Sequence, residues 1–465
     1  MPNYNEITYE NIAEITKIVG EDNLSTKPED LETHSIDESP LEPHKPSLVV
    51  RPISTRQVSE LLNYANQHRI PVTPQGSRTG LSGANHPVHG GIALSMEHMN
   101  KILELDEENL MITVQPGVLI MDVHEETEKN GLLYPPDPGE NSGSIGGNIN
   151  TNAGGMRAMK YGVTRDFVNG LELVLPTGEV LEMGGKNVKD STGYSLIDLI
   201  IGSEGTLGVV TKATLRLIPK PLKTALIYAP FTSIEDAAKA VSEIIHRKVN
   251  PFALEFLTQH AVHTIEKYLE RKLPDNKHPA YLLIGVESNS DEELMHDLET
   301  AGEACLELGA VEVYLAETLR QQDELWEARK AMADAYDAFY DVDEADICVP
   351  RSRIPEFVER AMPLEKKHGV ILVPVGHAGD GNIHWNVVRQ EQDDEEWLMT
   401  IEESMRDLVE LSISLGGTIS GEHGLGYTKK QFLPLKVGEK QVELMKGIKQ
   451  LFDPNQIMNP GKVFP

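Results

Sequence analysis

The sequence predicts an α+β protein with two lobes, and three observations support this class. From Pro46 onward, apolar stretches typical of strands alternate with helical patterns. A Pro-Lys-Pro segment at 219–221 ends that region, and a second strand–helix–strand alternation follows it. We therefore predict a polar leader over 1–44, a first domain over 45–220, a second domain over 221–425, and a C-terminal segment over 426–465 that returns to the first domain.

The elements of each lobe follow from the spacing of apolar residues. Helices are predicted over 11–19, 55–67 and 121–130, and two alternating runs around Thr177 and Gly178 predict a hairpin. The second lobe is predicted as strand, helix, strand, helix, strand over 224–231, 233–247, 280–288, 291–309 and 311–317. Turn residues around Pro454 and Pro460 indicate that the C-terminal tail is docked.

Composition excludes several classes of partner. The chain has 465 residues and a net charge of −31, which disfavours nucleic acid and anionic membranes. Its two cysteines, Cys305 and Cys348, lie far apart without a CxxC, so we expect neither a disulfide framework nor an iron–sulfur cluster. The N-terminus lacks a signal-peptide pattern, and no apolar run approaches the roughly 20 residues of a membrane span. We expect a cytoplasmic protein, while peripheral membrane attachment through a partner stays open.

Three glycine-rich segments in the first half indicate a nucleotide-type ligand. They span 74–84, 135–155 and 202–210, and we call them the first, second and third glycine segments. Glycine permits close backbone approach to a ligand, and backbone N–H groups in such turns form nests for phosphate oxygens. None of the three contains a Walker sequence or the GxGxxG spacing of a dinucleotide-binding turn. The ligand must therefore be held in another way.

The three segments resemble the FAD-binding domain of the vanillyl-alcohol oxidase superfamily. Their pattern is Pro-x-Gly-x-x-Thr-x-Leu-x-Gly, then Pro-Asp-Pro with Ser-Ile-Gly-Gly-Asn and Asn-x-Gly-Gly, then Gly-Ser-Glu-Gly-Thr-Leu-Gly-Val-Val. Within that superfamily the chain resembles the FAD-linked D-2-hydroxy acid dehydrogenases, which include the glycolate oxidase flavin subunit and D-lactate dehydrogenase. The resemblance implies a superfamily-type FAD domain, an α+β cap domain for the substrate, and FAD bound non-covalently, because 74–84 contains no histidine.

The resemblance also names the residues expected to contact FAD. These are Pro74, Gly76, Ser77, Arg78, Thr79, Gly80, Leu81, Pro138, Ser144, Gly146, Gly147, Asn148, Asn152, Gly154, Gly155, Glu204, Gly205, Val210 and Asn459. Two positions depart from the common pattern. Gln75 stands where many relatives have Arg, and Arg78 stands where many have Gly. The phosphate contacts at these positions are therefore expected to differ.

A histidine-rich turn, "GHAGDGNIHWN" at 376–386, indicates a metal site. The flanking sequences predict two strands, so that His377 can meet His384 across the turn. Two imidazoles in one pocket suit a divalent metal. Asp380 is one candidate for the third ligand, and Glu422 in "SGEHGLG" is another. Two histidines and one glutamate match the ligand preference of Zn²⁺.

The resemblance assigns roles within this region. It implies His377, His384 and Glu422 as metal ligands, Asn386 as a substrate contact, and His423 as the base, with Asp380 structural. It also implies that Arg329 clamps the substrate carboxylate, for which a guanidinium is well shaped. Arg351 and Arg353 are alternative cations. Relatives specific for 2-hydroxyglutarate carry a Thr and a Lys where this chain has Ala333 and Glu344 or Ala345, which favours glycolate or D-lactate.

These inferences predict a flavin-linked dehydrogenase for a small 2-hydroxy acid. His423 would accept the hydroxyl proton, and a hydride would pass to flavin N5. Reoxidation then requires an external acceptor: an iron–sulfur subunit, a quinone, a cytochrome or an electron-transfer flavoprotein. Homo-oligomerisation stays open. The alternatives are a non-catalytic flavin-binding subunit and a metal hydrolase, in which the glycine segments would be structural.

Overall fold

The computed structural model describes residues 4–465, and the chain forms two compact units. Unit 1 comprises the described residues up to Ala153 together with Val163–Lys220 and Glu422–Pro465. Unit 2 comprises Gly154–Gly162 and Pro221–Gly421. The leader belongs to unit 1, and the short segment 154–162, which the sequence predicts within the first domain, belongs to unit 2.

The helices begin with caps that the sequence supplies, such as Ser54 before α3 and Asp393 before α16. They are α1 (Tyr9–Val19), α2 (Pro28–Thr33), α3 (Thr55–His68), α4 (Ile120–Lys129), α5 (Ile145–Thr151), α6 (Ala158–Tyr161), α7 (Thr164–Phe167), α8 (Ile197–Ile200), α9 (Ile234–His246), α10 (Gln259–Tyr268), α11 (Asp291–Glu307), α12 (Leu319–Lys330), α13 (Met332–Phe339), α14 (Ile354–Ala361), α15 (Leu364–His368), α16 (Asp394–Ser414), α17 (Leu433–Val437) and α18 (Glu439–Phe452).

The strands are distributed over both units. They are β1 (Leu24–Ser25), β2 (Leu48–Val50), β3 (Val72–Gln75), β4 (Ile92–Ser95), β5 (Ile102–Asp106), β6 (Met111–Val114), β7 (Leu132–Leu133), β8 (Val168–Val174), β9 (Val180–Gly184), β10 (Val209–Arg216), β11 (Ile218–Pro219), β12 (Lys223–Phe231), β13 (Ala253–Thr258), β14 (Ala280–Ser288), β15 (Tyr314–Ala316), β16 (Val342–Cys348), β17 (Ile371–His377) and β18 (Asn382–Val388).

Unit 1 contains two main sheets that position the glycine segments. The first has the order β1-β2-β4-β3, with β2, β4 and β3 parallel. Helix α3 belongs to the same apolar core as this sheet, and its buried residues Val58, Leu61, Leu62 and Ala65 share one helical face. The second sheet is antiparallel, β5-β6-β10-β8-β9, and β8 and β9 form the predicted hairpin at Gly178. The first glycine segment starts in β3, and the third leads into β10.

Unit 2 is built on one seven-stranded sheet in the order β15-β12-β14-β13-β17-β18-β16. All its strand pairs are antiparallel. Central strands β13, β14 and β18 are buried along nearly their whole length, so a charged side chain there needs a partner. Across the part of the chain that the structure describes, no helix combines the length and apolarity needed to span a membrane.

Candidate functional site

The first and second glycine segments pack closely in unit 1. A Cβ built on Gly76 would lie 2.1 Å from Ser144 Oγ. Ser144 is held there because its Oγ accepts a hydrogen bond from Gly147 N–H at 3.2 Å and caps α5. A Cβ on Gly146 would lie 2.7 Å from Pro116 Cβ. Glycine at these positions therefore lets backbone segments approach more closely than a side chain would permit.

The C-terminal segment ties the first and third glycine segments together. The Glu204 carboxylate accepts hydrogen bonds from the backbone N–H groups of Leu425 (2.9 Å) and Gly426 (2.7 Å). Asn459 donates from Nδ2 to the carbonyls of Glu204 (2.7 Å) and Ala84 (3.0 Å). Burial raises the pKa of Glu204, while the two backbone donors oppose that rise. We call the part of unit 1 that the three glycine segments enclose the cradle. Glu204 and Asn459 are thus part of its supporting structure.

Two cavities in unit 1 share Gly76 and Gly147 in their walls. Asn148 also faces the second cavity, and its buried Nδ2 has no hydrogen-bond partner among the residues that the structure describes. A glycine-walled space with such an unused donor fits a phosphate-bearing cofactor like FAD. The predicted contacts that line the cavities are Pro74, Gly76, Ser77, Arg78, Thr79, Gly80, Leu81, Pro138, Ser144, Gly146, Gly147, Asn148, Glu204, Gly205, Val210 and Asn459.

Three predicted contacts line neither cavity. Asn152 closes α5 in a left-handed conformation, and its Oδ1 accepts from Arg165 N–H at 2.9 Å. Gly154 and Gly155 lie in the segment that belongs to unit 2. Spacing along the second glycine segment could not distinguish residues that end a helix from residues that face a ligand.

The two atypical positions of the first glycine segment have different environments. The Gln75 amide is used within the protein, because Nε2 donates to the carbonyls of His34 (3.0 Å) and Asn85 (2.7 Å). Arg78 lines the second cavity and adopts a φ of 65°, a region that favours the Gly of the relatives. Arg78 therefore adds a cation to the cavity, whereas Gln75 is structural.

The histidine-rich turn joins β17 to β18 in unit 2. His377 lies opposite Asn382, and His384 lies opposite Val375, so the two histidines are diagonal neighbours across the hairpin. Their ring centroids are 5.3 Å apart at an interplanar angle of 85°. Both side chains are buried. The hairpin thus brings two imidazoles into one small space.

Each of these histidines is oriented by a carboxylate. His377 Nδ1 lies 2.9 Å from both oxygens of Glu255, and His384 Nδ1 lies 3.0 Å from Glu344 Oε1. A histidine held through Nδ1 by a carboxylate presents Nε2 to a metal, and the carboxylate increases its basicity. This arrangement is the usual environment of a metal-binding histidine.

Glu255 also holds the predicted substrate arginine. Arg329, in the last turn of α12, donates from Nε to Glu255 Oε2 at 2.7 Å and is buried. Burial would raise the pKa of Glu255, but the charges of His377 and Arg329 outweigh it and lower the pKa. Glu255 is therefore ionised, and it fixes His377 and Arg329 relative to each other.

The remaining predicted residues of unit 2 divide between the site and its surroundings. Asn386 is buried on β18, and its Nδ2 has no hydrogen-bond partner in the described chain. Asp380 Oδ1 accepts from Asn382 N–H at 3.0 Å and holds the turn. Arg351 and Arg353 are exposed, and Arg353 pairs with Glu356 at 2.6 Å. Asn386 is thus a good candidate for a ligand contact, and the two arginines are poor ones.

The end of unit 2 at Gly421 is held by strand β16. Asp346, which is opposite His384 in the β16–β18 ladder, accepts from Gly421 N–H at 2.9 Å. Glu422, the third predicted ligand, follows Gly421 directly in the chain and belongs to unit 1, as does His423. His377, His384 and Glu344 belong to unit 2, where Glu344 orients His384.

Sequence reasoning missed Glu255 and Asp346 as parts of this site, and it considered Glu344 only as a position that differs from 2-hydroxyglutarate-specific relatives, without its contact to His384. Glu255 is the one charged residue of the apolar strand "ALEFLT", and Asp346 is fully buried in β16. A lone carboxylate in an apolar strand requires a buried partner, so this pattern could have marked Glu255. Asp346 shares β16 with Asp343 and Glu344, so the same pattern does not single it out. The sequence could not identify His377 as the partner of Glu255, because the two residues lie 122 positions apart in the chain.

Comparison with known proteins agrees with this architecture. Residues 220–463 match the family described as "FAD linked oxidases, C-terminal domain", and 46–184 match the "FAD binding domain". The chain is 41% identical over 425 residues to "D-lactate dehydrogenase" of Anaerostipes hadrus, covering 90% of each chain. It is 40% identical over 453 residues to "Glycolate oxidase subunit GlcD" of Bacillus subtilis, covering 97% of this chain and 96% of the other. The structure of p-cresol methylhydroxylase superposes with a TM-score of 0.81 at 17% identity, covering 100% and 98%.

The likeness to p-cresol methylhydroxylase in fold, together with the match to the FAD binding domain, confirms the predicted fold class. The chain belongs to the FAD-linked oxidase family and is an FAD-linked oxidoreductase.

Proposed function

We propose that this protein oxidises a small 2-hydroxy acid, glycolate or D-lactate, to the corresponding 2-keto acid with the help of a divalent metal. The observation that carries the proposal is the buried Glu255 carboxylate, which contacts both His377 and Arg329. This shared carboxylate supports a joint role for His377 as a metal ligand and Arg329 as the carboxylate clamp. The names of the relatives, D-lactate dehydrogenase and glycolate oxidase subunit, support the same substrate class.

The chain's own residues have distinct roles in this proposal. Arg329 keeps its Nε on Glu255 and directs its terminal nitrogens to the substrate carboxylate. The Asn386 amide donates to the substrate, and His423 accepts the hydroxyl proton. A divalent metal, expected to be Zn²⁺, held by His377, His384 and Glu422 would supply Lewis acidity that polarises the hydroxyl. FAD in the cradle of unit 1 would supply the hydride acceptor.

The environment of His384 supports a monocarboxylate substrate. The Glu344 carboxylate lies 3.0 Å from His384 Nδ1 and would repel a second substrate carboxylate. Ala333, the other position that differs in 2-hydroxyglutarate-specific relatives, is exposed on α13. Two cysteines cannot provide the four thiolates of an iron–sulfur cluster, so an external carrier must reoxidise the flavin.

The test is anaerobic reduction of the purified yellow protein by a panel of acids. We expect glycolate or D-lactate to bleach the visible flavin absorbance, D-2-hydroxyglutarate to be much less effective, and L-lactate to be inactive. Prior treatment with a chelator should abolish bleaching, and Zn²⁺ should restore it. Bleaching that resists complete metal removal would contradict the metal role. No bleaching by any acid, with full flavin content, would instead indicate a non-catalytic flavin-binding subunit.

A further inference from the structure

Unit 1 contains a third cavity that the proposed function does not use. Its volume is about 680 Å³, which falls within the range of roughly 300–1,000 Å³ typical of small-molecule sites. The C-terminal segment forms most of its wall, from Tyr427 to Pro465, and His44 and His89 close the other side. Asn459 separates it from the FAD cradle, since Asn459 lines both spaces.

The wall of this cavity is basic in a strongly acidic protein. It includes Lys430, Lys446, Lys449 and Lys462, while none of its described lining residues is Asp or Glu. Only Lys449 has a carboxylate partner, Asp453 at 2.5 Å, among the salt bridges of the described chain. The other three donate to backbone oxygens or to an amide oxygen. The wall of the cavity therefore carries four lysines, of which one has a carboxylate side chain as a salt-bridge partner.

Burial and neighbouring charges both act on the basic groups of this wall. Burial lowers the pKa of Lys462 to about 7, against the opposing effect of Asp37 and Glu204. Burial also lowers the pKa of His89, and Lys462 and Lys430 lower it further. Lys430 lowers the pKa of both groups, and an anion bound between them would offset that effect.

We propose that this cavity binds a phosphate-bearing small molecule at a site separate from the FAD cradle. Its cations are lysines, and an ammonium is a point charge that suits phosphate, whereas a carboxylate is best matched by the arginine fork. The rings of Tyr427 and Phe464 line the same space and provide apolar surface for the organic part of the ligand. This inference does not depend on the substrate of the flavin site.

Lys430 and Lys446 are the residues through which the site can be tested. Lys430 lies over the Tyr427 ring at 3.9 Å and donates to the Gly461 carbonyl at 2.7 Å, and Lys446 is exposed on α18. Neither lines the FAD cradle. A matched control removes Lys436 and Lys440, two exposed lysines of the same segment outside the cavity.

The experiment titrates the FAD-loaded protein with pyrophosphate at constant ionic strength, by calorimetry. We expect saturable binding to the native protein, with flavin content unchanged. Lys430→Gln/Lys446→Gln should weaken this binding by at least about tenfold, because two charge-assisted contacts are lost. Lys436→Gln/Lys440→Gln should leave it unchanged. The proposal is overturned if pyrophosphate does not bind, if it displaces FAD, or if both double variants weaken binding equally.

Discussion

The candidate binding region of unit 1 is formed mainly by backbone, whereas that of unit 2 is formed by side chains. In unit 1 the cradle is formed mainly by backbone. Gly76 and Gly146 let neighbouring chain segments approach so closely that a methyl group at either position would collide with them. In unit 2 the site consists of side chains, His377 and His384, each oriented by a carboxylate on a neighbouring strand. A backbone cradle should be sensitive to added volume, whereas a side-chain site should be sensitive to changes of charge at constant volume. The predictions below examine this contrast.

The largest effect is expected at the proposed base. Changing His423→Ala should lower kcat by about 10²–10⁴-fold, the usual contribution of a general base, while the protein keeps its flavin. Steady-state kinetics with glycolate or D-lactate, together with the visible spectrum, would measure this. The control is His263→Ala, since His263 is exposed on α10. Equal losses in the two variants would remove His423 from the proposed mechanism.

The second effect concerns charge at constant volume in unit 2. Glu255→Gln should weaken metal binding by about 10–100-fold, because the orienting carboxylate of His377 is lost and Arg329 loses its buried counter-ion. The measurement is Zn²⁺ competition against a chelating dye. Glu266→Gln is the control, since Glu266 is buried in the same unit and pairs with Lys272. Unchanged metal affinity in Glu255→Gln would show that Glu255 serves stability alone.

The third effect concerns added volume in unit 1. Gly146→Ala should destabilise the protein by about 1–3 kcal/mol and reduce its FAD content, because the new methyl group would meet Pro116. Urea unfolding and the ratio of flavin to protein absorbance measure the two effects. Gly447→Ala, on helix α18, is the control, since a Cβ there meets nothing within 4 Å. If both variants retain full stability and FAD, the cradle is looser than its geometry indicates.

The smallest effect is a pH dependence of stability due to Lys462. Its pKa falls from 10.5 to about 7 on folding, so between these values only the unfolded chain binds the proton. The free energy of unfolding should therefore rise with pH above 7, by up to about 1.4 kcal/mol per unit from this group. Below pH 7 the lysine is protonated in both states and adds no slope. The free energy of unfolding, measured with denaturant at pH 7 and pH 8.5, should rise less in Lys462→Met than in the native protein. Equal rises in the two proteins would contradict the lowered pKa of Lys462.

Local pattern was sufficient for much of the fold. The helix predicted over 55–67 is Thr55–His68, and the one predicted over 121–130 is Ile120–Lys129. The hairpin that carries His377 and His384 also follows from its sequence. These elements form from contacts between residues close in the chain, so periodicity and turn chemistry predict them.

The sequence by itself determined the class of the protein: the glycine segments indicated a nucleotide-type ligand, their resemblance to a known family implied FAD, and two histidines around a glycine turn predicted a metal site. Only the tertiary structure decided which carboxylates orient those histidines and which cation pairs with Glu255. It also gathered the lysines of the C-terminal segment around one cavity. The reason is physical. Partners that lie on different strands or helices are chosen by the order and packing of elements, which depend on burying the whole core and leave no local pattern in the chain.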